Sequence, residues 1–426
     1  MKILEKFGNK HLLRDTLHLS LGQGGKVTLQ AVSFLISARI LGPSFYGAIV
    51  SITALTAILA PYSGLGTPNL FIKNFRSGER SMEVCWGNGL LITTVTGLIL
   101  SIGITLLNLV IHLNATLLII FIFAICEMVF GRIVELASFG FAAVGSMKDT
   151  ALQGFIMQLL RVIAILLLAA FCHPVTFNEW LVAYVITSLL GLAYALFKGM
   201  QFFGRPKWDA AAAVADVKEG IFFCVSNSAQ NIYNDIDKTM LGRLASLADT
   251  GIYGAAYRFI DTAMTPVRSL ISAAYPQFFR IGAEGGIRAT RAYAIKLIKK
   301  AVLYGIAIWA GLTAIAPLLP YVLGHRYDTI VVALRLLAVI PLLRCVHSFL
   351  ADALTGAGFQ ASRTVVQLVI ALINILLNLW ILPRYTWRGA AWTSVGCDAL
   401  LVLSYFLLVQ WKISRAASSP TPAAVA

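Results

Sequence analysis

Apolar residues dominate this chain in stretches of about 18 to 25 residues, and short polar or glycine-containing segments separate these stretches. A helix of about 20 apolar residues is long enough to cross about 30 Å of hydrocarbon. The pattern therefore predicts an all-α, polytopic membrane protein with about twelve transmembrane helices. The predicted spans are 15–39, 46–67, 85–110, 116–143, 150–171, 180–201, 219–242, 252–279, 299–321, 329–355, 364–382 and 388–411.

The composition favours the same class. The chain is 58% apolar and 12% charged, whereas soluble domains are about 45–50% apolar and about 25% charged. The six cysteines and six histidines show no metal-ligand spacing, so we expect neither a metal site nor a cofactor. Four prolines, Pro61, Pro266, Pro317 and Pro341, lie within predicted spans. Each removes a backbone hydrogen bond and can kink its helix, either as a hinge or as a static bend.

The net charge of +15 has a positional explanation that does not involve nucleic acid. If the N-terminus is cytoplasmic, 21 of the 34 lysines and arginines lie in cytoplasmic loops and tails, and five lie in outside loops. This distribution follows the positive-inside rule. It places both termini in the cytoplasm.

The two halves of the chain resemble each other. "LGPSFYGAIVSI" corresponds to "LADTGIYGAAYRF", "AAVGSMKDTALQ" to "TGAGFQASRTVVQ", and "LLGLAYALF" to "LLVLSYFLL". Three matches in the same order indicate a duplication, and an even number of spans in each half makes the repeat parallel. We expect two six-helix bundles related by a pseudo-two-fold repeat around a central cavity. The predicted lobes are 1–201 and 219–413, joined by a cytoplasmic interfacial linker at 202–218 and followed by a flexible tail at 414–426.

The segments "ARILGPSFYGAIVSI" and "NDIDKTMLGRLASLADTGIYGAAYRF" resemble the polysaccharide transporter and O-antigen flippase families. These families belong to the multidrug/oligosaccharidyl-lipid/polysaccharide exporter superfamily, and the resemblance extends over about residues 14–411. It implies a flippase that carries an undecaprenyl-pyrophosphate-linked oligosaccharide across the bacterial cytoplasmic membrane by alternating access. The implied partners are the lipid-linked substrate, membrane lipids, and the polysaccharide polymerase with its chain-length machinery.

Three other classes of function compete with the flippase. A cation-coupled multidrug antiporter has the same architecture, and it remains the main alternative. An enzyme acting on the same lipids normally has a substantial loop or domain, whereas the outside loops here span only about 5–10 residues. A scaffold without transport activity is the third alternative. We therefore expect a transporter rather than an enzyme.

Fifteen charged residues lie within the predicted spans, and buried charges usually face a cavity or a partner. They are Lys26, Arg132, Arg161, Lys238, Arg258, Arg268, Arg335, Arg344, Glu127, Glu135, Asp235, Asp237, Asp261, Asp352 and Asp398. A phosphate-bearing substrate needs cationic side chains, and three of them lie near mid-membrane by residue count. Lys26, Arg161 and Arg268 are therefore the predicted substrate-binding residues.

A second set of charges lies at one depth on two consecutive predicted spans. Asp235, Asp237 and Lys238 come near the outer end of the seventh span, and Arg258 and Asp261 follow the start of the eighth. Opposite charges at one depth on antiparallel helices can pair. We expect these five residues to form a periplasmic gate or a coupling site. A static brace between the two helices is the alternative.

The topology can be tested with single cysteines in a cysteine-free background. We expect a cysteine at Asn178 to react with an impermeant thiol reagent from outside, and one at Ser414 to react only after the membrane is opened, because the charge distribution orients the chain. Labelling intact cells and inverted vesicles measures both positions. The reverse pattern would contradict both the orientation and the repeat.

Overall fold

The computed structural model describes residues 10–111, 116–172 and 174–418, which are helical except for short turns and contain no strand. This confirms the predicted all-α class. Within the described ranges, eight helical stretches are long and apolar enough to cross a membrane by length and composition. They are Gly24–Arg76, Met82–Val110, Leu117–Ala143, Met147–Phe171, Phe177–Phe203, Thr265–Leu323, Ile330–Gly356 and Gln360–Arg415.

Three of these stretches contain more than 50 residues, and each contains a break in helical conformation between two predicted spans. The breaks are at Gly42 (φ 72°), Gly286 (φ 58°) and Thr386 (φ 49°). Each break lies between two predicted spans, so each long stretch accounts for two of them. The remaining predicted span, 219–242, falls in a more polar helix.

The described chain divides into two compact units between Arg243 and Leu244. The helices that begin in the first unit are α1 (Lys10–Leu59), α2 (Thr67–Arg76), α3 (Met82–Ile111), α4 (Leu117–Ile125), α5 (Gly131–Ala143), α6 (Met147–Phe171), α7 (Phe177–Phe203) and α8 (Ala210–Leu244). A 3₁₀ turn at Ala60–Tyr62 follows α1, and a π-helical turn at Cys126–Phe130 joins α4 to α5.

The second unit continues with α9 to α14. These helices are α9 (Leu247–Ala263), α10 (Thr265–Ile315), α11 (Leu319–Leu323), α12 (Ile330–Leu337), α13 (Ile340–Gly356) and α14 (Gln360–Ser418). Its core contains fully buried aromatic side chains, including Tyr253, Phe278, Tyr327 and Phe349. Tyr253 and Ser394 share a hydrogen bond of 2.8 Å between their hydroxyls.

The four prolines predicted to interrupt spans all begin new helical segments. Pro61, Pro266, Pro317 and Pro341 each occupy the first turn of an α or 3₁₀ segment. The first turn of a helix has no intrahelical acceptor for its N–H groups, so the missing donor costs little there. Each of the four prolines therefore lies where one helical segment ends and the next begins.

Side chains of α8 donate to backbone carbonyls of α1 beside Pro61. A residue at position 61 would normally donate its N–H to the carbonyl of Ala57, but proline has no N–H. Asn231 in α8 donates its side-chain amide to that carbonyl at 2.7 Å, and Ser228 donates to the carbonyl of Ile58 at 2.9 Å. The compact unit therefore extends beyond the predicted linker at 202–218, because α8 satisfies backbone groups of α1.

The first turns of α8 are attached to α2 and the turn after it by charged side chains. Lys73 and Glu219 form an ion pair at 2.5 Å, and Asp216 pairs with Arg80 while accepting a 2.9 Å hydrogen bond from Asn74. Asp216 is buried, and that burial raises the pKa of its carboxyl group although Arg80 opposes the shift. Asp216 and Glu219 both lie in α8, which is continuously helical from residue 210 onward.

The same turn occurs in each unit at corresponding positions of the predicted repeat. Gly145 (φ 81°) and Gly358 (φ 85°) adopt the left-handed conformation that favours glycine. The N–H of Gly145 bonds to Ala142 at 3.1 Å and that of Ser146 bonds to Phe141 at 2.8 Å. The bonds Gly358 to Thr355 at 3.0 Å and Phe359 to Leu354 at 2.8 Å repeat this turn at a constant offset of 213 residues.

Close backbone packing in the second unit can be tested with two glycines of the same helix. A Cβ at Gly282 would lie 1.9 Å from the carbonyl oxygen of Gly356, whereas one at Gly311 would meet nothing within 4 Å. We expect Gly282→Ala to destabilise the protein by about 1–3 kcal/mol through overpacking. Gly311→Ala should be neutral or stabilising by up to about 1 kcal/mol. Thermal unfolding in detergent measures both, and equal melting temperatures would contradict the close contact.

Candidate functional site

A cluster of polar side chains joins three elements in the interior of the first unit. Arg161 of α6 donates from Nη2 to the hydroxyl of Tyr184 of α7 at 3.1 Å. The same hydroxyl donates to Oε1 of Glu127, which lies in the π-helical turn. The Arg161 guanidinium also lies 4.8 Å from the centre of the Tyr184 ring, a distance at which a cation is attracted to an aromatic face.

Aromatic packing fixes Tyr184 in this cluster. Its ring stacks on Phe123 with centroids 5.0 Å apart and on Trp180 with centroids 5.2 Å apart. Stacked rings of this kind hold a side chain in one orientation. The hydroxyl of Tyr184 is therefore held where it can link Glu127 to Arg161.

The second predicted cation is Lys26 of α1. Its side chain packs against α6, the helix that carries Arg161. Its Cδ is 3.3 Å, and its Nζ 3.8 Å, from the position that a Cβ would occupy at Gly154 of α6. The absence of a side chain at Gly154 therefore makes room for Lys26. Positions 154 and 161 are two turns apart on one face of α6, about 10 Å along its axis. The structure thus places two predicted substrate-binding residues along one helix face.

The third predicted substrate-binding residue, Arg268, lies in the second unit, where it is half-exposed. Its Nη2 is 2.6 Å from Oδ1 of Asp261. A second arginine, Arg344 of α13, lies 3.8 Å from the same carboxylate and 3.5 Å from Asp398 of α14. His347 Nε2 is 3.4 Å from Oδ1 of Asp398. Arg344 therefore bridges two carboxylates, and charged side chains join α9, α10, α13 and α14.

The three predicted gate residues of the first unit, Asp235, Asp237 and Lys238, form hydrogen bonds within α8. Lys238 donates to Oδ1 of Asp235 at 2.6 Å and to the carbonyl of Asn234 at 2.7 Å. Asp237 is buried and accepts a hydrogen bond from the backbone N–H of Lys238 at 2.8 Å. In the second unit, Arg258 is exposed. The pairing of the two sets across the predicted gate stays a prediction.

Glu127 and Asp398 are predicted from the sequence as charges within spans, but the side chains that contact them are not. The link through Tyr184 had no sequence signal, because the neutral tyrosine lies on a different helix. The Arg132–Glu135 pair, by contrast, has i, i+3 spacing and forms as that spacing indicates. Among the residues that the structure describes, no group of three or more His, Cys, Asp or Glu side chains is arranged to hold a metal ion.

An all-helical fold with several helices long and apolar enough to cross a membrane defines a multi-pass membrane protein. The chain belongs to the polysaccharide biosynthesis protein family, whose match extends over residues 12–282. A search of curated proteins returned no match.

Two groups of solved structures share this fold. The lipid II flippase MurJ, in an inward closed conformation, has a TM-score of 0.75 at 12% identity, covering 92% of this chain and 87% of that one. An inward-facing multidrug resistance MATE family transporter of the MOP superfamily has a TM-score of 0.73 at 17% identity, covering 93% and 96%. The chain has the fold of transporters of that superfamily.

The charge network of the second unit can be tested at Asp398, which is almost fully buried. Removing one partner of a buried ion pair typically costs about 3–5 kcal/mol, so we expect Asp398→Asn to lower the melting temperature substantially. Asp328→Asn is the matched control, because Asp328 is exposed and lies 3.6 Å from the exposed His325. A similar melting temperature for both variants would show that Asp398 is not a structural partner.

Proposed function

We propose that this protein is a flippase for an undecaprenyl-pyrophosphate-linked oligosaccharide. The observation that carries the proposal is the pair of cations, Lys26 and Arg161, along one face of α6. A diphosphate has several anionic oxygens, and Lys and Arg side chains bind such groups through charge-assisted hydrogen bonds. The family, whose description is polysaccharide biosynthesis protein, supports a glycan-related cargo. The fold shared with a lipid II flippase supports a lipid-linked one.

Arg161 has unused capacity to bind an anion. Nη2 is engaged by Tyr184, but Nε is buried and has no hydrogen-bond partner among the described residues. A buried donor without a partner costs free energy. A phosphate oxygen that reached Nε would remove that cost, so this guanidinium favours an anionic ligand.

The proposed location is the bacterial cytoplasmic membrane, with both termini in the cytoplasm. The distribution of lysine and arginine supports this orientation. The proposed cycle carries the glycan from the cytoplasmic to the periplasmic leaflet by alternating access. The polysaccharide polymerase and chain-length machinery would then use the exported repeat unit as their substrate.

The second candidate function is a cation-coupled antiporter for drugs or other small molecules. The shared fold with a multidrug resistance MATE family transporter favours it. The two functions differ in their need for cationic side chains, because an antiporter for cationic drugs gains nothing from Lys26 and Arg161. The same variants therefore discriminate between the two functions.

We expect Lys26→Ala and Arg161→Ala each to reduce surface glycan at normal expression. Losing a hydrogen bond to a charged group costs about 1.5–3 kcal/mol, which weakens substrate binding roughly tenfold to a hundredfold. Lys26→Arg should be milder, since it keeps the charge. The assay is glycan at the surface of a strain whose own flippase gene is deleted.

Arg326→Ala is the control, because it removes an exposed arginine in a short turn of the second unit. It should leave surface glycan unchanged. Full export by the double variant of Lys26 and Arg161 would refute the anion site. If that double variant also still protected cells from a cationic drug, the result would favour the antiporter over the flippase.

A further inference from the structure

The first half of α10, before its break at Gly286, carries a row of exposed polar and aromatic side chains. This row, which we call the α10 stripe, consists of Arg268, Ser272, Tyr275 and Phe279. Separations of four, three and four residues place all four side chains on one face of the helix. The α10 stripe therefore extends over roughly 16 Å along the helix axis.

The α10 stripe differs from an exposed helix face that suits hydrocarbon. The exposed face of α7 is apolar, and it includes Val182, Ile186, Leu189 and Phe197. The α10 stripe instead contains a guanidinium group and two hydroxyl groups. Polar side chains within a membrane span usually face a water-filled space or a partner rather than lipid. The α10 stripe is therefore a surface for a polar ligand.

Packing of the opposite face holds the α10 stripe in place. Val267, Ala274 and Phe278 are buried, and the Phe278 ring lies 5.0 Å from the ring of Tyr293. A Cβ at Gly356 of α13 would lie 2.4 Å from the carbonyl oxygen of Phe278, so α13 directly contacts the backbone of α10. A surface on a fixed helix is pre-organised, which lowers the entropic cost of binding a ligand.

Two aromatic rings lie next to each other on the α10 stripe. The ring centroids of Tyr275 and Phe279 are 5.1 Å apart, and the ring planes meet at 85°. The two residues are 38% and 46% exposed, so part of each ring is open to a ligand. A sugar ring has an apolar surface of C–H groups that packs against an aromatic ring. Tyr275 and Phe279 therefore offer the apolar half of a carbohydrate-binding surface.

Polar groups beside these rings offer the other half. Ser272 places a hydroxyl on the α10 stripe, and a hydroxyl can both donate and accept a hydrogen bond. Pro276 lies inside the helix and has no N–H, so it cannot give the carbonyl of Ser272 its usual helical hydrogen bond. That carbonyl is an acceptor for a ligand hydroxyl. The α10 stripe thus combines ring surfaces with hydrogen-bonding groups, as sugars require.

The charge of the α10 stripe suits an uncharged ligand. Arg268 is its one charged residue, and Nη2 of that arginine lies 2.6 Å from Oδ1 of Asp261. The other three residues of the stripe are neutral. Lys26 and Arg161 in the first unit, by contrast, are the cations that the proposed function assigns to a diphosphate. The charge distribution therefore favours neutral sugar residues as the ligand of the α10 stripe.

We propose that the α10 stripe binds the glycan of the lipid-linked substrate. Tyr275 and Phe279 pack against sugar rings, while the hydroxyl and the backbone carbonyl of Ser272 bind sugar hydroxyls. This inference rests on the proposed function, because it concerns the sugar part of the same substrate. It assigns recognition of the glycan to side chains different from those that bind the diphosphate.

The experiment measures binding of two lipid probes to the full-length protein in detergent by microscale thermophoresis. One probe is undecaprenyl pyrophosphate, and the other is the lipid-linked oligosaccharide extracted from the flippase-deleted strain of the export assay. The ratio of the two dissociation constants isolates the contribution of the glycan. We expect the wild type to prefer the glycan-bearing probe. Tyr275→Ala and Phe279→Ala should each reduce that preference about twofold to tenfold, the size of one aromatic contact.

Neither alanine variant should change the affinity for undecaprenyl pyrophosphate, because that probe lacks the glycan. Phe197→Ala is the matched control, since Phe197 is 64% exposed on the apolar face of α7; the preference should match that of the wild type. Phe279→Tyr keeps the ring and should keep the preference. Phe279→Leu keeps apolar volume without an aromatic ring, and it replaces the alanine variant if that variant does not fold.

The outcomes separate this inference from the proposed function. An unchanged preference in Tyr275→Ala and Phe279→Ala would overturn the glycan surface, and so would equal binding of both probes by the wild type. A loss in Phe279→Tyr as large as in Phe279→Ala would overturn the role of the ring. Full binding of undecaprenyl pyrophosphate by the double variant of Lys26 and Arg161 would instead overturn the anion site. Absence of binding of both probes to the wild type would overturn the proposed function and this inference with it.

Discussion

A polar group inside hydrocarbon has no water to bind, and this constraint organises both units of the protein. Each unsatisfied backbone group in a membrane costs several kcal/mol. Pro61 leaves the carbonyl of Ala57 without its usual donor, and Asn231 supplies one at 2.7 Å. Ser63 donates its hydroxyl to the carbonyl of Met128, the residue that follows Glu127 in the π-helical turn. Helices with irregular turns thus become attached to the helix that completes their hydrogen bonds.

The same constraint explains the charged side chains. Arg344 lies between Asp261 and Asp398 at 3.8 and 3.5 Å, so no charge of that group is left without an opposite one. Arg161 is different, because its nearest hydrogen-bonded partner is a neutral phenol, and its Nε lacks a partner among the described residues. A fully paired charge favours a structural role, and a partly paired one favours a ligand. The proposed site therefore lies in the first unit.

Features governed by nearby residues could be predicted from the sequence. The four prolines begin new segments, and the breaks at Gly42, Gly286 and Thr386 fall between predicted spans, because proline and positive φ act on the local backbone. The contacts of α8 with α1 and of Tyr184 with Glu127 were not predicted. These contacts join residues 174 and 57 positions apart, and no spacing rule reaches so far. Sequence periodicity predicts which face of a helix is buried, but it does not predict which other helix packs against that face.

The duplication of the chain is visible in its turns but not in its charges. At the offset of 213 residues that relates the turns at Gly145 and Gly358, Arg161 corresponds to Asn374 and Glu127 to Ile340. Asn374 is buried and accepts a 2.9 Å hydrogen bond from Asn378, a pairing of neutral amides. The pair of Arg161 and Glu127 therefore has no counterpart at the corresponding positions of the second unit. If Arg161 holds the anionic head group, the duplication supplies no second guanidinium at the corresponding position, so the anion site proposed here belongs to the first unit alone.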